Sequence, residues 1–220
     1  GGENVVAGCC FEAQRQDAGK ITTLKEVLVR AKSEKNKAAT GSKTATPLSD
    51  IPATISVVPR DIIETQNATA DLDKSIRNVS GVTQSSNSNY GFFNNYLIRG
   101  LNMNFLRDGA PDGATSNGYA RSLVDVEQVE VLKGPGSALY GSGAPGGSVN
   151  LVSKTPQENP GRTFAQLFGS FETYQTSLDL TGPTWNENLL YRLNGNYYTS
   201  EGFRDLNRST AEVFPTILWK

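Results

Sequence analysis

Gly141, Gly143 and Gly146 in GSGAPGG (Gly141–Gly147) spell G-x-G-x-x-G behind the strand-like run VEVLKGPGSALY. That spacing outlines a dinucleotide site, in which the last glycine opens a helix whose amides meet a pyrophosphate. Here Pro145, Gly146 and Gly147 stand where that helix would begin, and SVNLVSK after them is a β-rich run. No G-K-[S/T] is present, and Lys133 precedes the glycines instead of following them. The glycines are therefore expected at tight turns and where one strand crowds another. A short helix over Gly136–Tyr140 fits between two such turns.

Other chemistries are narrowed by what the chain lacks. There is no histidine, which removes Ser-His-Asp and Cys-His catalysis, histidine-based zinc sites and the usual base near neutral pH. The two cysteines, Cys9 and Cys10, are adjacent and cannot staple distant segments. No catalytic residue and no metal-binding residue is assigned. Charge is balanced, 21 Lys+Arg against 22 Asp+Glu, so no basic field points to nucleic acid. The 22 glycines, with many Ser, Thr and Asn, point to a turn-rich β protein.

The elements that would carry these residues fall into two kinds. Thr54–Val58 (TISVV), Tyr96–Arg99 (YLIR), Phe105–Arg107, Val129–Leu132 (VEVL) and Val149–Ser153 read as strands. Asp61–Gln66 and Ala70–Asn78 read as short helices, with Thr69 as an N-cap for the second. This is an α+β unit with long connections at Ser85–Asn95 and Ala110–Arg121; both hold aromatics, which favours a binding surface. Upstream, Thr23–Ala31 is a short apolar stretch and Lys32–Thr46 a linker by composition. Val6-Ala7-Gly8-Cys9 imitates a lipoprotein cleavage box, but only eight residues, one of them Glu3, precede the cut. The chain is expected to begin inside a longer protein.

From residue 161 onward the period becomes two. Tyr174, Thr176, Leu178 and Leu180 alternate with Gln175, Ser177, Asp179 and Thr181; Leu189, Tyr191, Leu193, Gly195 and Tyr197 alternate with Arg192, Asn194 and Asn196. Ten-residue alternating segments with tyrosines toward their ends suit a transmembrane barrel, and equally a soluble antiparallel sheet. About four such strands cannot close a barrel, so in the first case most of the wall lies elsewhere. No run of about 18 apolar residues offers a membrane-spanning helix.

Val129–Pro156 (VEVLKGPGSALYGSGAPGGSVNLVSKTP) resembles the second half of the plug domain of TonB-dependent outer-membrane receptors. The resemblance extends to DIPATISVVPRDII (Asp50–Ile63), RNVSGV (Arg77–Val82), YLIRGL (Tyr96–Leu101) and NFLRDGAPD (Asn104–Asp112). GSFETYQTSLDLTGPT and LLYRLNGNYY resemble first barrel strands of the ferric-siderophore branch. The resemblance implies an α+β plug domain, residues 47–156, followed at 157–220 by about four antiparallel strands of a 22-stranded transmembrane β-barrel. Residues 23–46 would hold the TonB box and linker. Residues 1–22 faintly resemble the tail of a periplasmic signalling domain, with Cys9 and Cys10 where small or hydroxyl residues are more usual.

The implied function is plug-gated transport of ferric siderophores across the outer membrane of a Gram-negative bacterium, energised through TonB. The barrel would be monomeric, with outer-membrane lipid around it, no enzyme activity and no directly bound cofactor. A cobalamin or glycan receptor would share the plug motifs; a soluble β-rich binding module is the alternative of another class. The TonB box is expected at Glu26, Val27, Leu28 and Val29, a strand able to add to a partner's sheet edge. Arg99 and Lys133 match positions that contact carboxylates of the barrel wall. Apical ligand contacts are expected from Asn87, Tyr90, Phe92, Phe93, Phe105, Tyr119 and Arg121. Tyr174, Leu178, Leu180, Leu189, Tyr191, Leu193 and Tyr197 should face lipid, and Asp179, Arg192, Asn194 and Asn196 the plug.

Overall fold

The structure is a computed structural model that describes residues 37–38, 40, 46–70, 72–84, 96–112, 122–136, 144–186, 188–201 and 207–220. A small antiparallel pair, β1 (Lys37–Ala38) and β2 (Thr46–Pro47), leads through a 3-10 turn at Leu48–Asp50 into β3 (Thr54–Pro59). Next come α1 (Arg60–Thr65), α2 (Leu72–Ile76), β4 (Val82–Gln84), β5 (Tyr96–Ile98), β6 (Leu101–Arg107) and β7 (Ala110–Pro111). Strands β8 (Val126–Lys133) and β9 (Gly147–Ser153) complete a mixed sheet of order β3-β8-β9-β6-β5-β4, with β7 paired to β6. All neighbours in it are antiparallel except β6 and β9.

Val129 and Val131 of β8, Val149 and Leu151 of β9, and Met103 and Phe105 of β6 alternate onto one sheet face and pack with Ile63, Leu72 and Ile76 of the helices. Each such side chain contributes about 1.5–3 kcal/mol on burial. Val126 joins the same cluster although it lies three residues from Val129. The pairing of β8 with β9 shifts between Val126 and Gln128, and this bulge returns Val126 to the core face. That extends β8 well beyond the four residues expected from VEVL.

Two hairpins of the sheet turn on two residues each. Ile98 pairs with Leu101 across Arg99 (φ 53°) and Gly100 (φ 78°); Arg107 pairs with Ala110 across Asp108 (φ 49°) and Gly109 (φ 80°). Positive φ at both positions is the turn geometry that suits the strand twist. The run YLIR is thus strand only to Ile98, and Arg99 forms the corner.

The GSGAPGG run meets the sheet at its last two glycines. A Cβ on Gly146 would lie 2.6 Å from the carbonyl oxygens of both Leu101 and Asn102, and one on Gly147 (φ 130°) 2.0 Å from that of Leu132. The Gly146 amide donates to Asn102 O (2.9 Å), and its carbonyl accepts from Gly134 N (2.9 Å). Close backbone approach at the entry to β9 therefore requires these glycines. Gly141, Gly143 and most of the helix expected over Gly136–Tyr140 lie outside the described residues.

Four long antiparallel strands follow as a meander: β10 (Gly161–Gly169), β11 (Thr173–Pro183), β12 (Leu189–Glu201) and β13 (Asn207–Trp219). Register places Leu180 opposite Leu193 on one face and Asp179 opposite Asn194 on the other. Tyr174, Leu178, Tyr191 and Tyr197 are exposed with Phe164, Phe168, Val213 and Ile217, whereas Gln175, Thr181, Arg192, Asn194 and Asn196 are buried. The apolar face is the exposed one. The inner face is polar and packs on the mixed sheet and its helices.

Candidate functional site

Two polar constellations tie the mixed sheet to its surroundings. The first lies around Glu130, a carboxylate with 0% exposure on β8. Glu130 and Asn150 are register partners on β8 and β9, so both project to the face opposite the valine core. Thr40, just beyond β1, sits on this pair. Its amide donates to Glu130 Oε2 (2.8 Å), its hydroxyl donates to the same oxygen, and Asn150 Nδ2 donates to that hydroxyl (3.0 Å). Gln128 Nε2 donates to Glu130 Oε1 (2.6 Å) and to the Lys37 carbonyl (3.3 Å). The Gly109 amide closes the chain on Asn150 Oδ1 (3.0 Å). A carboxylate removed from water is costly unless its oxygens accept hydrogen bonds, and Thr40 and Gln128 supply them.

The second constellation joins the sheet's C-terminal exit to the meander. Asp179 on β11 accepts Arg192 Nε (2.9 Å) and Nη2 (2.8 Å) in a two-pronged pair, and Lys154 Nζ (2.7 Å). Asn194, with its amide nitrogen turned to the carboxylate, donates to both Asp179 oxygens at 3.1 and 3.2 Å. Arg192 Nη1 also donates to the Thr155 carbonyl (2.8 Å). Burial pushes the Lys154 ammonium pKa down, and only the hydrogen bond and charge of Asp179 oppose this.

The remaining contacts are distributed along the inner face. Gln175 Nε2 donates to Thr69 Oγ1 and to Asn196 Oδ1, both at 2.9 Å. Arg107 pairs with Asp125 (2.5 Å) and lies 5.8 Å from the ring centre of Phe214 on β13. Desolvation raises the Asp125 carboxyl pKa against the pull of Arg107, and nearby Glu212 on β13 adds to the rise. A cavity of about 510 Å³ remains between α1 and strands β10–β11, with Arg60, Glu64, Lys154 and Asp179 in its lining. Sheet and wall are thus fastened by polar points, with open space left between.

Of the sequence-expected sites, Arg99 and Lys133 are described. Lys133 is 9% exposed and donates to Ser80 Oγ (2.9 Å). Burial first, then the charge of Arg99, lowers its pKa. Phe105 is a correction: at 1% exposure it belongs to the valine core and packs edge-to-face on Tyr96 at 6.1 Å. Alternation along β6 turns it inward, away from any apical ligand. Glu26, Val27, Leu28 and Val29, and likewise Asn87, Tyr90, Phe92, Phe93, Tyr119 and Arg121, lie outside the described residues, as do residues 1–22. Glu130 escaped the sequence reading because an acidic residue inside VEVL reads as the solvated side of a strand. Its alternation against Val129 and Val131 was the available signal.

Residues 47–148 match the model of the TonB-dependent receptor plug domain. The metal-pseudopaline receptor of Pseudomonas aeruginosa is 35% identical over 97% of this chain, and the ferrioxamine B receptor of Salmonella typhimurium 29% over 81%. The chain spans about a third of the length of these relatives, 32% and 27% respectively. Among solved structures, the pyoverdine outer-membrane receptor of P. aeruginosa bound to pyoverdine superposes with a TM-score of 0.74 at 28% identity. That match covers 84% of this chain and 28% of the receptor. With the mixed sheet matching the plug and the amphipathic meander following it, the chain belongs to the TonB-dependent receptors of the Gram-negative outer membrane.

Proposed function

We propose that the receptor containing this chain transports ferric siderophores through a plug-gated barrel, driven through TonB and without enzymatic chemistry. The observation that carries this reading is the docking of the plug sheet, by polar and ionic points, on the inner face of strands whose outer face is apolar. Such a plug can shift against the wall without dismantling an apolar core. Relatives that are receptors for ferrioxamine B and ferripyoverdine support a ferric chelate as cargo. The metal-pseudopaline receptor at 35% identity favours a second reading, in which the cargo is another metal-loaded metallophore.

Within this reading Glu26–Val29 is the TonB box, adding as a strand to an edge of TonB. Asn87, Tyr90, Phe92, Phe93, Tyr119 and Arg121 form the apical ligand surface, where rings give contact area and an arginine meets anionic donor groups. Arg99 and Lys133 face carboxylates of the barrel wall. The test is uptake of radioiron on a panel of siderophores by cells carrying the complete receptor, with and without TonB. Saturable uptake lost without TonB, with surface binding kept, is expected. Binding of metal-loaded metallophores without any ferric siderophore would favour the second reading; uptake that ignores TonB would overturn both.

A further inference from the structure

The two fastenings of the plug differ in kind. On its C-terminal side, Lys154 and Thr155 are clamped by Asp179 and Arg192 of the wall, an ionic cluster with a two-pronged arginine. On its N-terminal side the fastening is internal to the plug: Thr40 seated on Glu130 and Asn150, and the Lys37 carbonyl on Gln128. Among the described residues, the backbone pairing that accompanies it is Lys37 with Pro47 and Ala38 with Thr46. Beyond β2 the chain enters β3, six residues paired with β8.

A load applied from the N-terminal side therefore meets these elements in order. It reaches the two-residue pair and the Thr40 seat first, and the six-residue ladder of β3 afterwards. Contacts loaded one after another yield singly, whereas the clamp shares a load between two contacts, Lys154 on Asp179 and the Thr155 carbonyl on Arg192. Opening the seat takes the two Thr40 donors from Glu130 Oε2 while Gln128 stays on Oε1. That cost favours reclosure once the load is gone.

We propose that Glu130, with Asn150 and Gln128, is a reclosable latch holding Lys37 and Thr40 on the plug sheet, and that it is the first plug contact released when TonB pulls. The release step rests on the transport reading above; the latch itself rests on the hydrogen-bond geometry. The rest of the plug stays clamped to the wall through Asp179 while the latch opens.

Thiol labelling in cells tests both parts. Ala38, 1% exposed, becomes the reporter through Ala38→Cys in a Cys9→Ser, Cys10→Ser background of the complete receptor, labelled with a small maleimide that reaches the periplasm. Labelling is expected to be slow without TonB and to rise when TonB and a transported ferric siderophore are both present. Glu130→Gln and the milder Thr40→Val should raise it about tenfold even without TonB, as loss of a hydrogen bond to a charged group implies. Siderophore binding and the heat-shifted gel mobility of a folded barrel show that each variant is folded. Equal labelling of parent and both variants overturns the latch. Labelling indifferent to TonB while uptake proceeds overturns the release step. If the parent shows no TonB-dependent uptake but the variants still label faster, the latch stands and the transport reading falls.

Discussion

Arg99 occupies a left-handed backbone position (φ 53°) at a two-residue corner where Asn, Asp or Gly would cost less. Its amide is committed to the Gly81 carbonyl at 2.7 Å, so the corner is fixed whatever the side chain. In the proposed function the side chain is what Arg99 supplies at this strained corner, a guanidinium whose charge is felt at Lys133. Arg99→Asn is accordingly expected to leave plug stability unchanged or raise it by about 1 kcal/mol, while lowering uptake. Hydrogen exchange across β5 and β6 checks the first half and radioiron uptake the second; a loosened hairpin would assign Arg99 to the fold instead. Gly147 is the opposite case, needed only for its backbone. With φ 130° and a Cβ position 2.0 Å from Leu132 O, Gly147→Ala should cost more than about 3 kcal/mol. The expected readout is protease sensitivity of β8 and β9 while the barrel stays folded. Normal resistance would show that β9 can enter the sheet by another path. The purpose of the glycines was legible from Pro145 and the strand that follows them. The strain at Arg99 was not, because IRG reads as the end of a strand until the register with Leu101 is known.

At the scale of elements, legibility followed periodicity. In β11 and β12 one face meets the polar plug side and the other does not, so the two-residue pattern separated Asp179, Arg192, Asn194 and Asn196 from the apolar set, and the family resemblance turned them toward the plug. In β8 and β9 both faces are covered: Val129, Val131, Val149 and Leu151 are buried on one, Glu130 and Asn150 on the other. A strand buried on both sides can still alternate, as Val129-Glu130-Val131 does, and its polar side then reads as solvent-facing. The parallel pairing of β6 with β9 was equally hidden, since it joins segments about 40 residues apart through nothing that their local sequences encode. The wall pair offers the test at this scale. Arg192→Met keeps much of the side chain's volume and removes both donors from Asp179, whose carboxylate then keeps Lys154. Breaking one side of such a mostly buried pair should weaken plug docking by about 2–3 kcal/mol. Faster hydrogen exchange at residues 154–157 of the complete receptor, with the barrel strands still protected, is the expected result. Unchanged exchange there would mean that the clamp is carried by the other polar points along β11 to β13.

For the whole molecule, the arrangement separates three tasks along the chain. The apolar outer face, with Phe164, Phe168, Val213, Ile217 and Trp219 all more than 60% exposed, suits a hydrocarbon surround. The inner face holds the plug at Lys154 and Thr155, and Glu130 holds Thr40 on the plug sheet. Ligand binding in the proposed function belongs to the far side of the plug, and the handle for TonB to the segment before residue 37. In the proposed function the handle and the ligand surface are separate stretches of the chain, the first before residue 37 and the second beyond residue 84. Deleting Glu26–Val29 from the complete receptor should therefore leave siderophore affinity at the cell surface unchanged, while uptake falls to the level of cells without TonB. The Ala38→Cys reporter should at the same time remain slow to label even with TonB and siderophore present, because the latch is intact and nothing pulls on it. Weakened binding would place Glu26–Val29 within the folded plug, and retained uptake would place the TonB contact elsewhere in the chain.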